Sequence, residues 1–159
     1  AGLWNVGDAQ DPISVMSRTG FVICYAACPL LWLSKLQSEV ALSTTEAEYI
    51  ALSQSLRDVI PLLNLIADLQ RVFSFTTSQA LLSCSLFEDN AGALALALDH
   101  KFRPRTKHIG LKYHHFRSHV KSGLIKLFPI STFDQFADIF TKPLPAVTFV
   151  YLRKKLMGW

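Results

Sequence analysis

The stretch Ser43-Thr44-Thr45-Glu46-Ala47-Glu48-Tyr49-Ile50-Ala51-Leu52 opens the longest helix that this sequence predicts. Ser43 and Glu46, three residues later, form a capping box, in which each side chain satisfies a free backbone N–H group. Residues two positions apart do not share a helix face, so Glu46 and Glu48 cannot have the same role. Capping accounts for Glu46. Glu48 is left as a candidate functional carboxylate, with an ordinary surface charge as the alternative.

Two further acidic residues lie beside predicted helix starts. Asp89 follows the apolar stretch 80–87, which predicts a strand buried on both faces, and open α/β sheets place their sites at such strand ends. Asp138 lies in a helix that Thr132 and Gln135 are predicted to cap. Carboxylates on separate elements are how a fold gathers oxygen ligands around magnesium. Asp89 could instead cap the next helix, and Asp138 could simply face solvent.

The order of the predicted elements is typical of an α/β domain with a mixed sheet. Pro61 is expected to kink or split the long helix, and Pro29 to end the first strand. Gly123 is expected to close a helix as its C-cap. The predicted strands are 19–26, 30–33 with 39–42, 80–87 and 124–130; the predicted helices are 43–70, 91–98, 108–121, one from Thr132 that ends before Pro143, and an amphipathic helix at 146–157 within the C-terminal segment 146–159.

The composition indicates one packed domain and argues against disorder, because half of the 159 residues are hydrophobic and only 18% are charged. The longest uncharged apolar run, 21–33, is too short to span a bilayer, so no membrane partner is expected. Cys24, Cys28 and Cys84 have no further Cys or His pair at zinc-site spacing, which favours reduced thiols in an intracellular protein.

The positive charge is concentrated in one part of the chain, although the net charge is only +4. No Asp or Glu lies between positions 101 and 126, and a cluster of one sign suits a polyanion such as nucleic acid. The alternative is a solvated helix face. The basic residues of this window are Lys101, Arg103, Arg105, Lys107, Lys112, Arg117, Lys121 and Lys126.

Six short stretches are more specific together than any one of them alone. They are SRTGF at 17–21, WLSKLQ at 32–37, ALSTTEAEYIAL at 41–52, EDN at 88–90, RTKHI at 105–109 and DQFADIFTKPL at 134–144. In this order the chain resembles the ribonuclease H domain at the end of copia-type retrotransposon polyproteins. The resemblance covers nearly the whole chain, so residues 1–159 are interpreted as a single ribonuclease H-like domain.

The resemblance implies an endonuclease that cleaves the RNA strand of an RNA–DNA hybrid. Its four carboxylates would bind two magnesium ions, for which manganese can substitute. Glu48, Asp89 and Asp138 match three of these catalytic, metal-binding carboxylates. The resemblance further implies an upstream reverse transcriptase in the same polyprotein, and a location in a cytoplasmic virus-like particle or the nucleus.

The start of the sequence departs from the family pattern. The family's first carboxylate lies in an Asp-Ala-Asp-aromatic motif directly before Ala-Gly, whereas this chain begins with AGLW. Asp8 and Asp11 match a later polar insertion and are not assigned to the site. We therefore expect an N-terminally truncated domain without the central first strand, with unpaired strand edges and an open core. Such a chain is expected to be catalytically deficient and only marginally stable.

Several residues near these motifs are expected to contact nucleic acid. Ser43, Thr44 and Thr45 place hydroxyl and N–H groups at a helix start, where they can reach a sugar–phosphate backbone, although capping alone accounts for Ser43. Asn90 could equally be a turn residue, and His108 a polar residue at a helix start. The remaining expected contacts are Lys35, Asn90, Arg105, Lys107 and His108.

Two other functions fit the same residues. One is a catalytically inactive ribonuclease H-like remnant that acts as a nucleic-acid-binding or scaffold domain. The other is another nuclease or integrase of the same fold superfamily. Whether this chain is itself an enzyme stays open on the sequence alone, because the first carboxylate of the family is not matched.

Overall fold

The computed structural model describes residues 2–3, 15–73, 82–98 and 115–159 of the chain. These ranges hold five strands, four α-helices and two short 3₁₀ helices. In chain order the elements are β1 (Gly2–Leu3), β2 (Arg18–Tyr25), β3 (Cys28–Leu36), α1 (Thr44–Val72), β4 (Cys84–Glu88), α2 (Ala91–Leu98), α3 (Arg117–Lys121), β5 (Ile125–Pro129), the 3₁₀ helices Thr132–Asp134 and Phe136–Phe140, and α4 (Ala146–Met157).

The strands form two small sheets. Strands β1, β2 and β3 make an antiparallel sheet in that order, and β4 pairs with β5 in parallel. The fold is therefore mixed α/β, as predicted. The expected single mixed sheet is divided, because within the described residues no strand joins β2 to β4.

The hairpin of β2 and β3 turns at Ala26 and Ala27 rather than at Pro29. Pro29 lies inside β3, so the prediction that it ends the strand region is wrong. The strand tolerates it because the pairing register shifts between Ile23 and Cys24, and irregular positions on edge strands are where proline fits a sheet. The predicted strand at 39–42 is also wrong, since those residues form bends that lead into α1.

Helix α1 begins as its capping box predicts. The backbone N–H of Glu46 donates to Ser43 Oγ at 3.1 Å, which confirms the first half of the box. Glu46 Oε2 accepts a hydrogen bond from the backbone N–H of Leu42 at 2.9 Å. The second half of the box is therefore made with the residue before the N-cap rather than with Ser43 itself. The helix continues through Pro61, and the predicted split is wrong. Pro61 is exposed, where water can satisfy the carbonyl that its missing N–H leaves unbonded.

The core is built on one face of α1. Tyr49, Ile50 and Leu56 are buried in one cluster with Phe116 and Ile125, and the Tyr49 and Phe116 rings lie 5.9 Å apart. Each such side chain contributes roughly 1.5–3 kcal/mol through burial. By length and composition alone α1 is apolar enough to cross a membrane. Because these residues pack with Phe116 and Ile125 in the core cluster, the apolar sequence of α1 is explained as that of a core helix.

Strand β4 alternates between two environments. Cys84 and Leu86 are half-buried and pack against the core cluster, whereas Ser85 and Phe87 are exposed. The prediction of a strand buried on both faces is wrong, because the core cluster covers only the face that carries Cys84 and Leu86. Phe87 instead stacks on Phe128 of β5 at 5.7 Å on the outer face.

The later helices are confirmed at 91–98 and 146–157, and Gly123 follows α3 with a positive φ of 78°, as a helix C-cap requires. The predicted helix from Thr132 is instead two 3₁₀ helices that end before Pro143. Ser131 rather than Thr132 caps the first, accepting from Phe133 N at 3.3 Å. Gln135 caps the second, accepting from Ala137 N at 3.4 Å. These two caps are only four residues apart, which leaves no room for a continuous α-helix.

The hairpin turn predicts a stabilising substitution. Ala26 and Ala27 have φ values of 51° and 62°, and a left-handed conformation costs an L-residue roughly 1–2 kcal/mol. Two-residue hairpin loops of this kind favour Asn-Gly. The double change Ala26→Asn with Ala27→Gly should raise the free energy of unfolding by about 1–2 kcal/mol in chemical denaturation. Ala26→Val is the control and should lower it; an unchanged or lower stability of the Asn-Gly variant would contradict the turn geometry.

Candidate metal and nucleic-acid site

Three carboxylates from two elements meet at one point. Glu48 lies in the second turn of α1, while Glu88 and Asp89 lie at the end of β4. One oxygen from each of the three falls within 4.8 Å of the others. The capping of α1 and the pairing of β4 with β5 therefore bring together Glu48 and Asp89, two of the three predicted carboxylates.

Glu88 is the most deeply placed member of this carboxylate cluster. Its exposed fraction is 3%, and its Oε1 accepts a hydrogen bond from the backbone N–H of Asn90 at 3.0 Å. Burial raises the pKa of Glu88 to about 7, and the nearby carboxylates of Asp89 and Asp138 add to the increase. The Asn90 N–H opposes it. Glu88 therefore carries a proton part of the time at neutral pH, which lowers the repulsion inside the cluster.

Asp89 has a buried oxygen with unused bonding capacity. Its Oδ1 is buried and finds no hydrogen-bond partner within the described part of the chain. Asp89 does not cap α2, because Asn90 does so: Asn90 Oδ1 accepts from the backbone N–H of Ala93 at 2.9 Å. The capping alternative for Asp89 is therefore wrong, and Asn90 has a structural role at the helix start.

Asp138 lies near the carboxylate cluster but outside its 4.8 Å core. It is buried in the second 3₁₀ helix, and Lys142 Nζ lies 2.7 Å from its Oδ2. Burial raises the pKa of Asp138, while the hydrogen bond and charge of Lys142 lower it and the charge of Asp89 raises it further. The solvent-facing alternative for Asp138 is wrong. Its electrostatic coupling to Asp89 and Glu88 places it beside the same group of charges.

Two glycines let neighbouring elements reach this region. A Cβ on Gly20 of β2 would lie 2.5 Å from Thr141 Cγ2 and 2.9 Å from Phe140 Cβ, so the strand approaches the segment carrying Asp138 closely. A Cβ on Gly92 of α2 would lie 2.7 Å from Thr45 Oγ1. Only glycine permits both approaches without displacing the neighbouring chain.

The other sequence-predicted contacts are distributed around α1 or lie outside the described residues. Ser43 and Thr44 are exposed at the start of α1, and the hydroxyl of Thr45 is 3.4 Å from Asn90 Oδ1. Lys35 is exposed and pairs with Thr19 in the hairpin. The predicted contacts outside the described residues are Arg105, Lys107 and His108, together with most of the basic stretch.

Arg117, the first described residue of the basic cluster, has an internal role. Its guanidinium donates to the backbone carbonyl of Leu96 at 3.1 Å and also bonds the Tyr49 hydroxyl. Arg117 therefore ties α3 to α2 and to the core of α1. Lys121 and Lys126 remain exposed and can contribute to a surface potential.

The donor set fits a hard divalent cation. Magnesium binds carboxylate oxygens at about 2.0–2.1 Å, so ligands on opposite sides of one ion lie about 4 Å apart. The three cluster oxygens lie within 4.8 Å of one another and would have to move closer to bind one ion, because adjacent ligands of magnesium lie about 3 Å apart. The unbonded Oδ1 of Asp89 supplies a lone pair that no described donor satisfies. Glu48, Glu88 and Asp89 are thus the residues that could hold such an ion, with Asp138 adjacent.

Glu88 is the site residue that sequence reasoning missed. The signal was its phase in the strand: Cys84, Leu86 and Glu88 alternate, so a carboxylate falls on the inward face. An acidic residue in phase with buried apolar residues is the pattern that could have identified it.

The chain is similar to parts of transposon polyproteins. The chain is 34% identical over 150 residues to the retrovirus-related Pol polyprotein from transposon RE2 of Arabidopsis thaliana, which covers 94% of this chain and 10% of the relative. It is 35% identical over 150 residues to that from transposon TNT 1-94 of Nicotiana tabacum, covering 94% of this chain and 11% of the relative. It is 30% identical over 113 residues to the Transposon Ty1-DR1 Gag-Pol polyprotein of Saccharomyces cerevisiae, covering 71% of this chain and 6% of the relative.

The chain thus spans about a tenth or less of the length of these relatives. No protein-family model matches the sequence. No solved structure matches it significantly either.

The raised pKa of Glu88 predicts how stability depends on pH. The folded state holds a proton on Glu88 that the unfolded chain has released, so this contribution is complete below pH 4.5 and is lost as pH rises through about 7. Glu88→Gln keeps an acceptor for Asn90 N–H without the charge. Without divalent cations, the variant should become more stable than the wild type as pH rises from 4.5 to 8. The difference in their free energies of unfolding should grow by up to about 3 kcal/mol, since one pKa unit corresponds to about 1.4 kcal/mol.

The exposed Asp58→Asn on α1 is the matched control for that experiment and should leave the pH profile of unfolding unchanged. Chemical denaturation at each pH gives the measurement. Parallel profiles for the wild type and Glu88→Gln would show that Glu88 does not carry the proton.

The close approach at Gly92 predicts a destabilising Gly→Ala change inside a helix. Alanine normally favours a helix over glycine by about 1 kcal/mol. Here the added Cβ meets Thr45 Oγ1 at 2.7 Å and Asn90 Oδ1 at 3.1 Å, so Gly92→Ala should lower the free energy of unfolding by about 1–3 kcal/mol. Thr45→Ala removes the first contact and should restore part of the loss. Additive effects of the two changes in a double-mutant cycle would exclude this contact as the cause.

Proposed function

We propose that this chain is the ribonuclease H-type domain of a copia-type retrovirus-related Pol polyprotein, because 94% of its length is similar to about a tenth of such polyproteins. Its proposed reaction is magnesium-dependent endonucleolytic hydrolysis of the RNA strand of RNA–DNA hybrids. The proposed natural context is a polyprotein with a reverse transcriptase upstream, inside the cell in a virus-like particle or the nucleus.

One observation carries the proposal. Glu48 and Asp89, 41 positions apart in the sequence, bring their carboxylates together with Glu88 within 4.8 Å, and Asp89 Oδ1 is buried without a described hydrogen-bond partner. Burying several like charges together is unfavourable unless a cation or protons compensate them. A site of hard oxygen ligands at a strand end is what metal-assisted phosphodiester hydrolysis requires.

The carboxylates have distinct proposed roles. When bound there, magnesium would lower the pKa of a water molecule and stabilise negative charge on the leaving oxygen. Glu48 and Asp89 would hold it from two different elements. Glu88 exchanges its proton near neutral pH, so the cluster can change its charge when a cation arrives. The hydrogen bond from Asn90 N–H to Glu88 Oε1 fixes the turn that presents Asp89.

The start of α1 would position the substrate backbone. Its exposed residues Ser43 and Thr44 lie at the helix N-terminus, where unpaired N–H groups and the helix dipole favour an anion such as phosphate. Glu48 lies one turn further along the same helix. A phosphate held at the N-terminus would therefore lie close to the carboxylate cluster. Lys35, Lys121 and Lys126 would add salt-dependent attraction to nucleic acid.

A second function is favoured by one observation at Asp138. Lys142 Nζ lies 2.7 Å from Asp138 Oδ2 and compensates its charge within the protein. A carboxylate engaged in this way needs no metal ion to be satisfied. The alternative is therefore a catalytically inactive domain that binds nucleic acid or acts as a scaffold in the polyprotein.

A cleavage assay tests the proposed reaction. The substrate is an RNA–DNA hybrid with labelled RNA, incubated in magnesium with residues 1–159 preceded by one added strand, about five to six residues long. The added strand ends in the Asp-Ala-Asp-aromatic motif that the resemblance implies for the family. Asp89→Asn should lower the cleavage rate by about 10²- to 10³-fold, the range for losing one group that stabilises transition-state charge. Residues 1–159 alone are expected to be much less active than the extended chain.

Asp58→Asn is the matched control for the assay, since it removes an exposed carboxylate of α1 far along the helix from the cluster. Hybrid binding is measured in parallel. Binding without cleavage by the extended chain, in magnesium and in manganese, would refute the nuclease and support the inactive nucleic-acid-binding domain. Cleavage of double-stranded DNA in preference to the hybrid would point to a different nuclease.

A further inference from the structure

Gln37 is a buried polar residue that lies outside the carboxylate cluster. It follows directly after β3, and its exposed fraction is 2%. Its backbone N–H donates to the carbonyl of Ser17 at 2.7 Å, which continues the pairing of β2 with β3 by one more residue on each strand. Burying a side-chain amide costs free energy unless its polar atoms are bonded, so the contacts of this amide indicate what it does.

The side-chain amide of Gln37 joins two other elements. Its Nε2 donates to the carbonyl of Ala47 in α1 at 2.9 Å and to Thr19 Oγ1 of β2 at 3.2 Å. A backbone carbonyl can only accept, so the nitrogen of the amide rather than its oxygen must face α1. Thr19 and Ala47 are both 0% exposed, so bulk water does not compete for either hydrogen bond.

The bond to Ala47 acts on Glu48 through the peptide unit that joins them. The carbonyl group of Ala47 and the nitrogen and Cα of Glu48 lie in one plane, because rotation about the peptide bond is strongly hindered. Inside a helix this carbonyl is also the acceptor for the N–H four residues further on. The helix ladder fixes the peptide unit relative to α1 only. The donor from Gln37 fixes it relative to the strands as well.

The same strand end also holds the segment that carries Asp138. Ser34 Oγ, three residues before Gln37, donates to the carbonyl of Phe140 at 2.6 Å. Phe140 is the last residue of the 3₁₀ helix in which Asp138 lies. Two polar residues of one strand end therefore fix the first turns of α1 and the segment of Asp138 to the same sheet.

The carboxylate cluster needs such a fixed support. Glu48, Glu88 and Asp89 place oxygens within 4.8 Å of one another, and like charges at this separation repel. The repulsion favours movement of the first turns of α1 away from the end of β4. A buried hydrogen bond to the peptide unit of Glu48 opposes that movement.

We propose that Gln37 is a positioning residue for the carboxylate cluster. By bonding the carbonyl of Ala47 it holds Glu48 close enough to Glu88 and Asp89 for the three carboxylates to share one divalent cation. This role rests on the proposed function, because it concerns the cation site on which that function depends. Gln37 itself touches neither the cation nor the substrate.

The test measures Mn²⁺ binding by residues 1–159 from the electron paramagnetic resonance signal of free Mn²⁺, which requires no cleavage. Gln37→Met keeps the length of the side chain and removes the donor. It should weaken Mn²⁺ binding by about tenfold, the lower end of the range for residues that orient metal ligands. If Gln37→Met does not fold, Gln37→Asn, which keeps the amide but is one methylene shorter, takes its place with the same expected loss.

Thr19→Val is the matched control, because it removes the other partner of the same amide and leaves the bond to Ala47 in place. It should leave the dissociation constant for Mn²⁺ unchanged, although it lowers the midpoint of chemical denaturation as Gln37→Met does. Weaker Mn²⁺ binding by Thr19→Val to the same extent would show a general loosening of the fold and overturn the proposal.

A double-mutant cycle shows whether Gln37 acts through Glu48. In the Glu48→Gln background, Gln37→Met should not weaken Mn²⁺ binding further, because the ligand that it positions is gone. Equal weakening in both backgrounds would overturn the proposal. Mn²⁺ binding by the wild type that Gln37→Met leaves unchanged would overturn this role alone, whereas no Mn²⁺ binding by the wild type would refute the proposed cation site and this role with it.

Discussion

The burial of several carboxylates where α1 meets the end of β4 is the constraint on which the rest of the structure depends. Like charges removed from water repel strongly, so each needs compensation. Asp138 has the ammonium group of Lys142 at 2.7 Å. Glu88 has the Asn90 N–H and a pKa near neutrality, so that it can be protonated. Asp89 retains a buried oxygen without a described hydrogen-bond partner.

Local close packing holds this costly arrangement in place. Gly20 brings the hairpin against the segment of Asp138, and Gly92 brings α2 against Thr45 at the start of α1. Gln37 adds a buried link by donating to Thr19 and to the carbonyl of Ala47. Three elements distant in sequence are therefore fixed relative to the first two turns of α1. Contacts around the carboxylate cluster, rather than contacts between its members, therefore offset the free energy needed to bury the charges.

Local chemistry made part of this structure predictable from sequence. The capping box that separated Glu46 from Glu48 is visible in four residues, and the bounds of 91–98 and 146–157 follow from composition and proline positions. The failures concern information that is not local. Pro29 is tolerated because of a register shift between paired strands, and the division of the sheet depends on pairing across the molecule. For Glu88 the phase with Cys84 and Leu86 is visible in the sequence, but which face of β4 lies inward depends on the core cluster that packs against it.

Strand β4 couples the core to the carboxylate cluster. Cys84 and Leu86 pack against the core cluster, and the same face of the strand continues to Glu88, inside the carboxylate cluster. Burial raises the pKa of Glu88 to about 7, so the packing that holds β4 in place also sets the free energy needed to charge the carboxylate cluster. A cation that compensates this charge must favour the packed state by the same factor by which packing favours cation binding, since the coupling free energy between two equilibria is reciprocal.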